Sequence, residues 1–156
     1  MQRALIRLIR TRSSNPDFRQ LILELDNDLN ERSQTEQSKY DKHNVIDIIE
    51  TVVLGYEGKI PVTCGCFKKY GPDSVEIKRM YVKPSHRGRG LSKLVLAELE
   101  FWAVELGNKT AVLETGKGQP EAIGLYQNSG YQQIDNYGPY KNIPQSICFE
   151  KRLMHR

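Results

Sequence analysis

The stretch His86-Arg87-Gly88-Arg89-Gly90-Leu91-Ser92-Lys93 decides how the rest of the chain is read. Ahead of it, Val75-Glu76-Ile77-Lys78-Arg79-Met80-Tyr81-Val82 reads as a strand. Behind it, Leu91, Leu94, Val95, Leu99, Trp102 and Leu106 recur at helical spacing and predict a helix from Leu91 to Leu106. A strand, a glycine-rich turn and a helix start together form an anion site. The first N–H groups of a helix lack intrahelical partners, and the aligned peptide dipoles place partial positive charge there. Glycines let the main chain approach a phosphate closely, while Arg87 and Arg89 add formal charge. The turn therefore predicts a phosphate-bearing ligand.

Outward from that turn, hairpins give way to strand–helix units. Residues 2–11 read as a strand. Asn15-Pro16-Asp17 is a helix start, an Asn cap followed by Pro at the first helical position, and Phe18, Leu21, Ile22, Leu25 and Leu29 carry the helix to about Arg32. Residues 31–44 are polar and aperiodic, hence a loop. Val45 to Tyr56 contains a strand, Glu57-Gly58 is a hairpin turn, and Val62 to Lys69 is the next strand. After the long helix, Gly107-Asn108 is a stop, Ala111 to Glu114 a short buried strand, and Thr115-Gly116-Lys117-Gly118 a second glycine loop. Pro120 to Asn128 is a helix bracketed by Pro at its start and Gly130 past its end. Tyr131 to Ile134 and Ser146 to Leu153 are the last strands, with a Tyr-, Gly- and Pro-rich loop between them. This order predicts an α/β fold, a mixed and mostly antiparallel sheet flanked by helices, in one domain over residues 1–156.

Composition narrows the partners. With 156 residues, 38% apolar and 27% charged, the chain fits one soluble core. A net charge of +4 is too mild to indicate nucleic acid. Arg3, Arg7, Arg10 and Arg12 interleave with Leu5, Ile6, Leu8 and Ile9, as on a strand with one solvated basic face. The N-terminus lacks a signal-peptide apolar core and no stretch is long enough to span a membrane, so a cytoplasmic location is expected. Cys64-Gly65-Cys66 is too closely spaced for a zinc site, and with Cys148 it makes an odd count; buried, space-filling thiols and no metal are expected.

The turn has competing readings. A Walker loop needs a Gly-Lys-Ser/Thr ending that is missing here. A Rossmann fingerprint needs a third glycine where Lys93 stands, which argues against nicotinamide binding. An ordinary tight strand–helix turn needs no ligand at all. Arg87-Gly88-Arg89-Gly90-Leu91-Ser92 resembles the R/Q-x-x-G-x-G/A pattern of the GCN5-related N-acetyltransferases (GNAT), with Ser92 in place of the final small residue. Two further pieces resemble the same family: Met80-Tyr81-Val82 followed by Pro84, and Ala122-Ile123-Gly124-Leu125-Tyr126-Gln127-Asn128-Ser129-Gly130-Tyr131, close to A-x-x-L-Y-x-x-x-G-F/Y. The resemblance spans roughly residues 45 to 153.

That resemblance implies acetyl-CoA as co-substrate, with its pyrophosphate on the amides of Arg87, Gly88, Arg89, Gly90, Leu91 and Ser92. It implies pantetheine pairing along Met80 and Val82, and a cofactor contact at Gln119, where the family often has Asn. Tyr126 falls at the family's general-acid tyrosine, although a satisfied core tyrosine is the plainer reading. Glu76, eleven residues before Arg87, is the leading base; strand alternation places it with Lys78, Met80 and Val82 on one face. Its plain alternative is a surface pair with Lys78 or Arg79. Glu114 is a second carboxylate expected to face the acceptor amine, and bound water is a third source of base. Tyr137 and Tyr140 lie in the loop expected to shape the acceptor pocket. His43, His86 and His155 are more simply surface residues. The expected activity is acetyl transfer to a primary amine of a small or amino-acid-like acceptor by direct attack. A protein or peptide acceptor, and a non-catalytic acyl-CoA-binding module, stay open as alternatives. Small family members often dimerise, which makes a homodimer the candidate assembly.

Overall fold

A computed structural model describes residues 5–32 and 48–154. The chain divides into two compact units, residues 1–67 with 79–99, and residues 68–78 with 100–156. The strands β1 (Ile6–Thr11), β2 (Val52–Glu57), β3 (Ile60–Gly71), β4 (Ser74–Val82), β5 (Thr110–Gly116), β6 (Gln132–Ile134) and β7 (Ser146–Arg152) follow the order β1-β2-β3-β4-β5-β7-β6 in one hydrogen-bonded sheet.

In the first unit, β1 (Ile6–Thr11) pairs antiparallel with β2 (Val52–Glu57), and β2 pairs antiparallel with β3 (Ile60–Gly71). Gly58 closes the β2–β3 hairpin at φ 61°, a left-handed position that costs glycine nothing. Helix α1 (Pro16–Arg32) starts as its sequence predicts: Asn15 Oδ1 accepts the N–H of Asp17 at 2.8 Å. Its apolar stripe, Phe18, Leu21, Ile22 and Leu25, packs on Val52, Leu54, Tyr56, Cys64, Cys66 and Tyr81. Each of these large side chains contributes about 1.5–3 kcal/mol on burial. Cys64 and Cys66 are buried thiols, not joined in a disulfide, within that cluster, as expected. A smaller cluster joins Val62, Val82, Leu91 and the partly buried Ile6.

In the second unit, the first residues of β4 (Ser74–Val82) run parallel to β5 (Thr110–Gly116), from Ser74↔Thr110 to Ile77↔Leu113. A parallel neighbour requires a long crossover, and α2 (Leu91–Glu105) supplies it. Strand β7 (Ser146–Arg152) pairs antiparallel with both β5 and β6 (Gln132–Ile134). Helix α3 (Pro120–Asn128) begins at its proline. The expected mixed, mostly antiparallel α/β sheet is the one observed. The loop expected over residues 31–44 lies almost wholly outside the described residues, as do His43 and His155.

One local expectation fails. The alternation expected from Glu76 to Val82 does not run through, because Arg79 sits at φ 59°. A left-handed residue breaks the pleat, so side chains beyond it change face. Tyr81 joins the α1 cluster, whereas the Met80 sulfur lies at Gly65 with Val95 and Leu99 of α2.

Candidate active site

The glycine turn belongs to the first unit. A short 3₁₀ turn, Pro84–His86, follows β4, then Arg87 is extended, and Gly88 and Gly90 take φ 78° and 75° before α2 begins at Leu91. Left-handed residues alternating in a turn are how concave amide nests are built. The first helical bond across the turn is Leu94 N–H to Gly90 O at 3.3 Å. Among the described residues, the N–H groups of Gly88, Arg89, Gly90, Leu91 and Ser92 have no protein acceptor.

The arginines of the turn are held by acids. Arg89 Nη2 donates to Glu57 Oε2 at 2.9 Å, and His86 Nε2 lies 3.2 Å from Glu57 Oε1. The hydrogen bonds from Arg89 and His86 hold the Glu57 carboxyl below its usual range. Arg87 Nε donates to Val82 O at 3.0 Å, its guanidinium lies 5.7 Å above the Tyr81 ring, and Nη2 is 3.7 Å from Asp28. Arg79, absent from the sequence-based candidates, is bound just as firmly. Its Nη1 donates to Asp26 Oδ1 at 2.7 Å, and its carbonyl accepts the Cys64 thiol at 3.5 Å.

The remaining candidates gather in the second unit. Register places Glu76 opposite Val112, and Glu114 opposite Cys148, so one sheet face carries Glu76, Val112, Glu114 and Cys148. Glu76 is 5% exposed; its Oε2 accepts the Tyr137 hydroxyl at 2.6 Å and its Oε1 is 4.0 Å from Lys68 Nζ. The Tyr137 ring stands edge-on to Tyr70 at 5.0 Å and to Tyr140 at 5.6 Å. Tyr137 and Tyr140, expected in the acceptor loop, are thus buried over this face with Val112, Ile143 and Cys148. Burial, then the Glu76 charge, pushes the Tyr137 phenol far above its ordinary value.

Glu114 has different surroundings. Its Oε2 accepts the Ser146 hydroxyl at 2.6 Å. Burial pushes its pKa up to about 7, opposed by the Ser146 hydrogen bond and the Lys78 charge and reinforced by Glu76. Tyr126, on α3, is buried against Tyr131 and Phe149. Burial, then the Glu114 charge, raises its phenol well above 10, so it stays protonated at neutral pH. Gln119 is the residue before α3 and caps it with no side-chain hydrogen bond. Asn136 and Ser146 carried no sequence signal: Asn136 Nδ2 lies 3.2 Å from the carbonyls of Tyr140 and Ile143 and 3.0 Å from that of Ser146. Among the described residues no cluster of His, Cys, Asp and Glu is built to hold a metal, and no helix is long and apolar enough to cross a membrane.

The family model of the acetyltransferase (GNAT) family matches residues 13–131. The chain belongs to the GNAT family. It is 37% identical over 78 residues to an IAA acetyltransferase of Azospirillum brasilense, a stretch covering 50% of this chain and 51% of that protein. This GNAT chain thus spans about half the length of that curated relative. Its fold matches a candidate acyl-CoA N-acyltransferase of Klebsiella pneumoniae at TM-score 0.80 and 29% identity, over 97% of this chain and 100% of that one. The PaiA N-acetyltransferase of Thermoplasma acidophilum, solved with coenzyme A, shares the fold at TM-score 0.70 and 15% identity, over 95% and 99% of the two chains.

Proposed function

We propose that the protein is an acetyl-CoA-dependent N-acetyltransferase that acetylates a primary amine on a small or amino-acid-like acceptor. The observation that carries this reading is the run of five N–H groups, Gly88 to Ser92, without a protein acceptor among the described residues. Such a run at a helix start suits a pyrophosphate. Family membership and coenzyme A in a structural neighbour support that ligand. The main chain at Met80 and Val82 would flank the pantetheine arm as an added strand does, and the family resemblance adds Gln119 as a cofactor contact.

Acetyl-CoA supplies a thioester carbonyl open to attack. Glu114, with its pKa near neutrality, accepts a proton from the acceptor ammonium. The freed nitrogen forms the C–N bond, the C–S bond breaks, and Tyr126, protonated at working pH, gives its proton to the departing sulfur. The attacked nitrogen releases its second proton to solvent, Tyr126 regains a proton from solvent in exchange, and Glu114 gives up the first, so one net proton leaves per turnover and the cycle closes. Glu76 is the other candidate base, but both of its oxygens have partners, Oε2 the Tyr137 hydroxyl and Oε1 the Lys68 ammonium at 4.0 Å. In this reading Glu76 and the tyrosine loop shape the acceptor side.

The test is thiol release from acetyl-CoA over a panel of small amines, amino acids and peptides, alongside calorimetry with CoA. Turnover with a small amine, and a fall in kcat of at least about tenfold in Tyr126→Phe with CoA affinity kept, is the expected result. CoA binding without turnover on any amine would leave a binding module instead. No CoA binding would remove both.

A further inference from the structure

The segment from Asn136 to Ser146 is fastened at both ends to the carboxylate face of the sheet. At one end Tyr137 donates to Glu76, and at the other Ser146 donates to Glu114, each at 2.6 Å. One side-chain amide draws the segment together. Asn136 Nδ2 faces the carbonyls of Tyr140, Ile143 and Ser146, and the Ser146 N–H returns to Ile143 O at 3.0 Å. An amide with two hydrogens and three carbonyl acceptors fixes the path of the main chain on either side. Ser146 is itself buried, so its hydroxyl has no water to exchange for Glu114 and its direction follows from its backbone.

We infer that Ser146, aimed by Asn136, is the positioning residue that orients Glu114 and sets the pH at which that carboxylate takes up a proton. The inference rests on Glu114 being the base. A hydroxyl can donate to a carboxylate, and the bond is stronger when that carboxylate is charged. It therefore favours the ionised form, in opposition to burial. The other groups facing Glu114 are Lys78 and Glu76 from β4, Tyr126 from α3 and Cys148 beside Ser146 on β7. Lys78 acts in the same direction as Ser146, and Glu76 acts against both. Ser146 is the neutral member of this set that touches Glu114 directly, so changing it alters no formal charge. The hydrogen bond also fixes which oxygen is occupied: Oε2 is bound to Ser146, leaving Oε1 to meet the amine.

Two readouts separate this inference from the assignment of the base. The first is the carboxyl titration of Glu114 by NMR in protein carrying ¹³C-labelled glutamate, its resonance identified by its loss in Glu114→Gln. The second is the acidic limb of the pH profile of kcat/KM for the acceptor. Ser146→Ala should move the titration upward by roughly one to two pH units, and the acidic limb should move with it. Ser146→Thr, which keeps the hydroxyl, should restore both towards wild type. Asn136→Ala should shift the titration in the same direction, and Asn136→Ala combined with Ser146→Ala should shift it no further than Ser146→Ala alone.

If Ser146→Ala proves poorly folded, Ser146→Cys preserves the volume with a weaker donor and should give a smaller upward shift. An unmoved Glu114 titration in a folded Ser146→Ala or Ser146→Cys protein overturns the inference. An unmoved titration in Asn136→Ala overturns the part assigned to Asn136. A titration that moves while the acidic limb stays fixed overturns Glu114 as the base and leaves the hold of Ser146 on Glu114 intact.

Discussion

Tyr137 donates its hydroxyl to Glu76 Oε2 across 2.6 Å, joining residues 61 positions apart in the chain. Both are buried, so neither has water as a substitute partner. Tyr137→Phe keeps the ring and its edge contacts with Tyr70 and Tyr140 but leaves a buried carboxylate oxygen short of a donor. That loss should cost about 1–3 kcal/mol in urea unfolding at neutral pH. Glu76→Gln keeps an acceptor for the same hydroxyl and should cost less. The reverse order would mean that the pair is held apart in solution.

In the proposed mechanism Glu114 links activity to stability with opposite signs. Its carboxyl titrates at about 7 in the fold against an ordinary 4.5. A carboxyl raised by folding makes the native state bind a proton that the unfolded chain has released. The Glu114 contribution to stability is therefore whole below about pH 4.5 and falls as pH rises to about 7. Above that it stays reduced by about 3 kcal/mol. Glu114→Gln removes this dependence. It should match wild type in urea midpoint near pH 4.5 and exceed it at pH 8, by up to about that amount, while losing acetyl transfer. Activity of the wild type should rise through pH 7 as the same group ionises.

Much of the frame was legible because punctuation residues state where elements begin and end. Asn15-Pro16 opens α1, and Pro120 with Gly130 brackets α3 at the bounds expected for it. The glycines at 88 and 90 likewise mark the turn that ends where α2 begins. What stayed hidden depends on register and on backbone strain. The partner of Glu114 is a serine 32 residues away, set diagonally across from it, two residues from the directly opposed Cys148, only by the pairing of β5 with β7. Glu114 is raised toward neutrality by burial, against the Ser146 hydroxyl and the Lys78 charge, and both of those reach it through the register of the sheet. A period-2 pattern carries no such information. The break at Arg79 was illegible for a different reason: no arginine advertises a left-handed backbone.

Gly88 tests the turn itself. A Cβ placed there would meet nothing within 4 Å, so the space is open, but φ is 78°. Gly88→Ala should therefore lose about 1–2 kcal/mol through backbone conformation alone. If the backbone escapes that strain by leaving the left-handed region, the amides of the turn no longer converge. Calorimetry with CoA should show affinity reduced tenfold or more, while Gly107→Ala, past the other end of α2 and also at positive φ with open space around it, should lose stability without losing CoA. Equal CoA affinity in Gly88→Ala and wild type would take the pyrophosphate away from this turn.

Arg79 separates the work of a side chain from that of a backbone. Its φ of 59° costs a non-glycine residue about 1–2 kcal/mol, yet the guanidinium is 5% exposed and bound to Asp26 at 2.7 Å. The ion pair and the thiol of Cys64 on the Arg79 carbonyl act on the same residue, and together they hold β4 broken just before Met80. Arg79→Ala removes the pair and keeps the strain. Arg79→Gly removes both, since glycine takes the left-handed conformation freely. If the pair serves to hold the backbone, Arg79→Gly should be more stable than Arg79→Ala by about 1 kcal/mol in urea. It should also bind CoA almost as wild type does, while Arg79→Ala binds it severalfold more weakly. Asp26→Asn should weaken CoA binding in the wild-type background and leave it unchanged in Arg79→Gly, because the glycine no longer needs the carboxylate. Equal behaviour of Arg79→Ala and Arg79→Gly would assign the effect to the lost ion pair and not to the bend it holds.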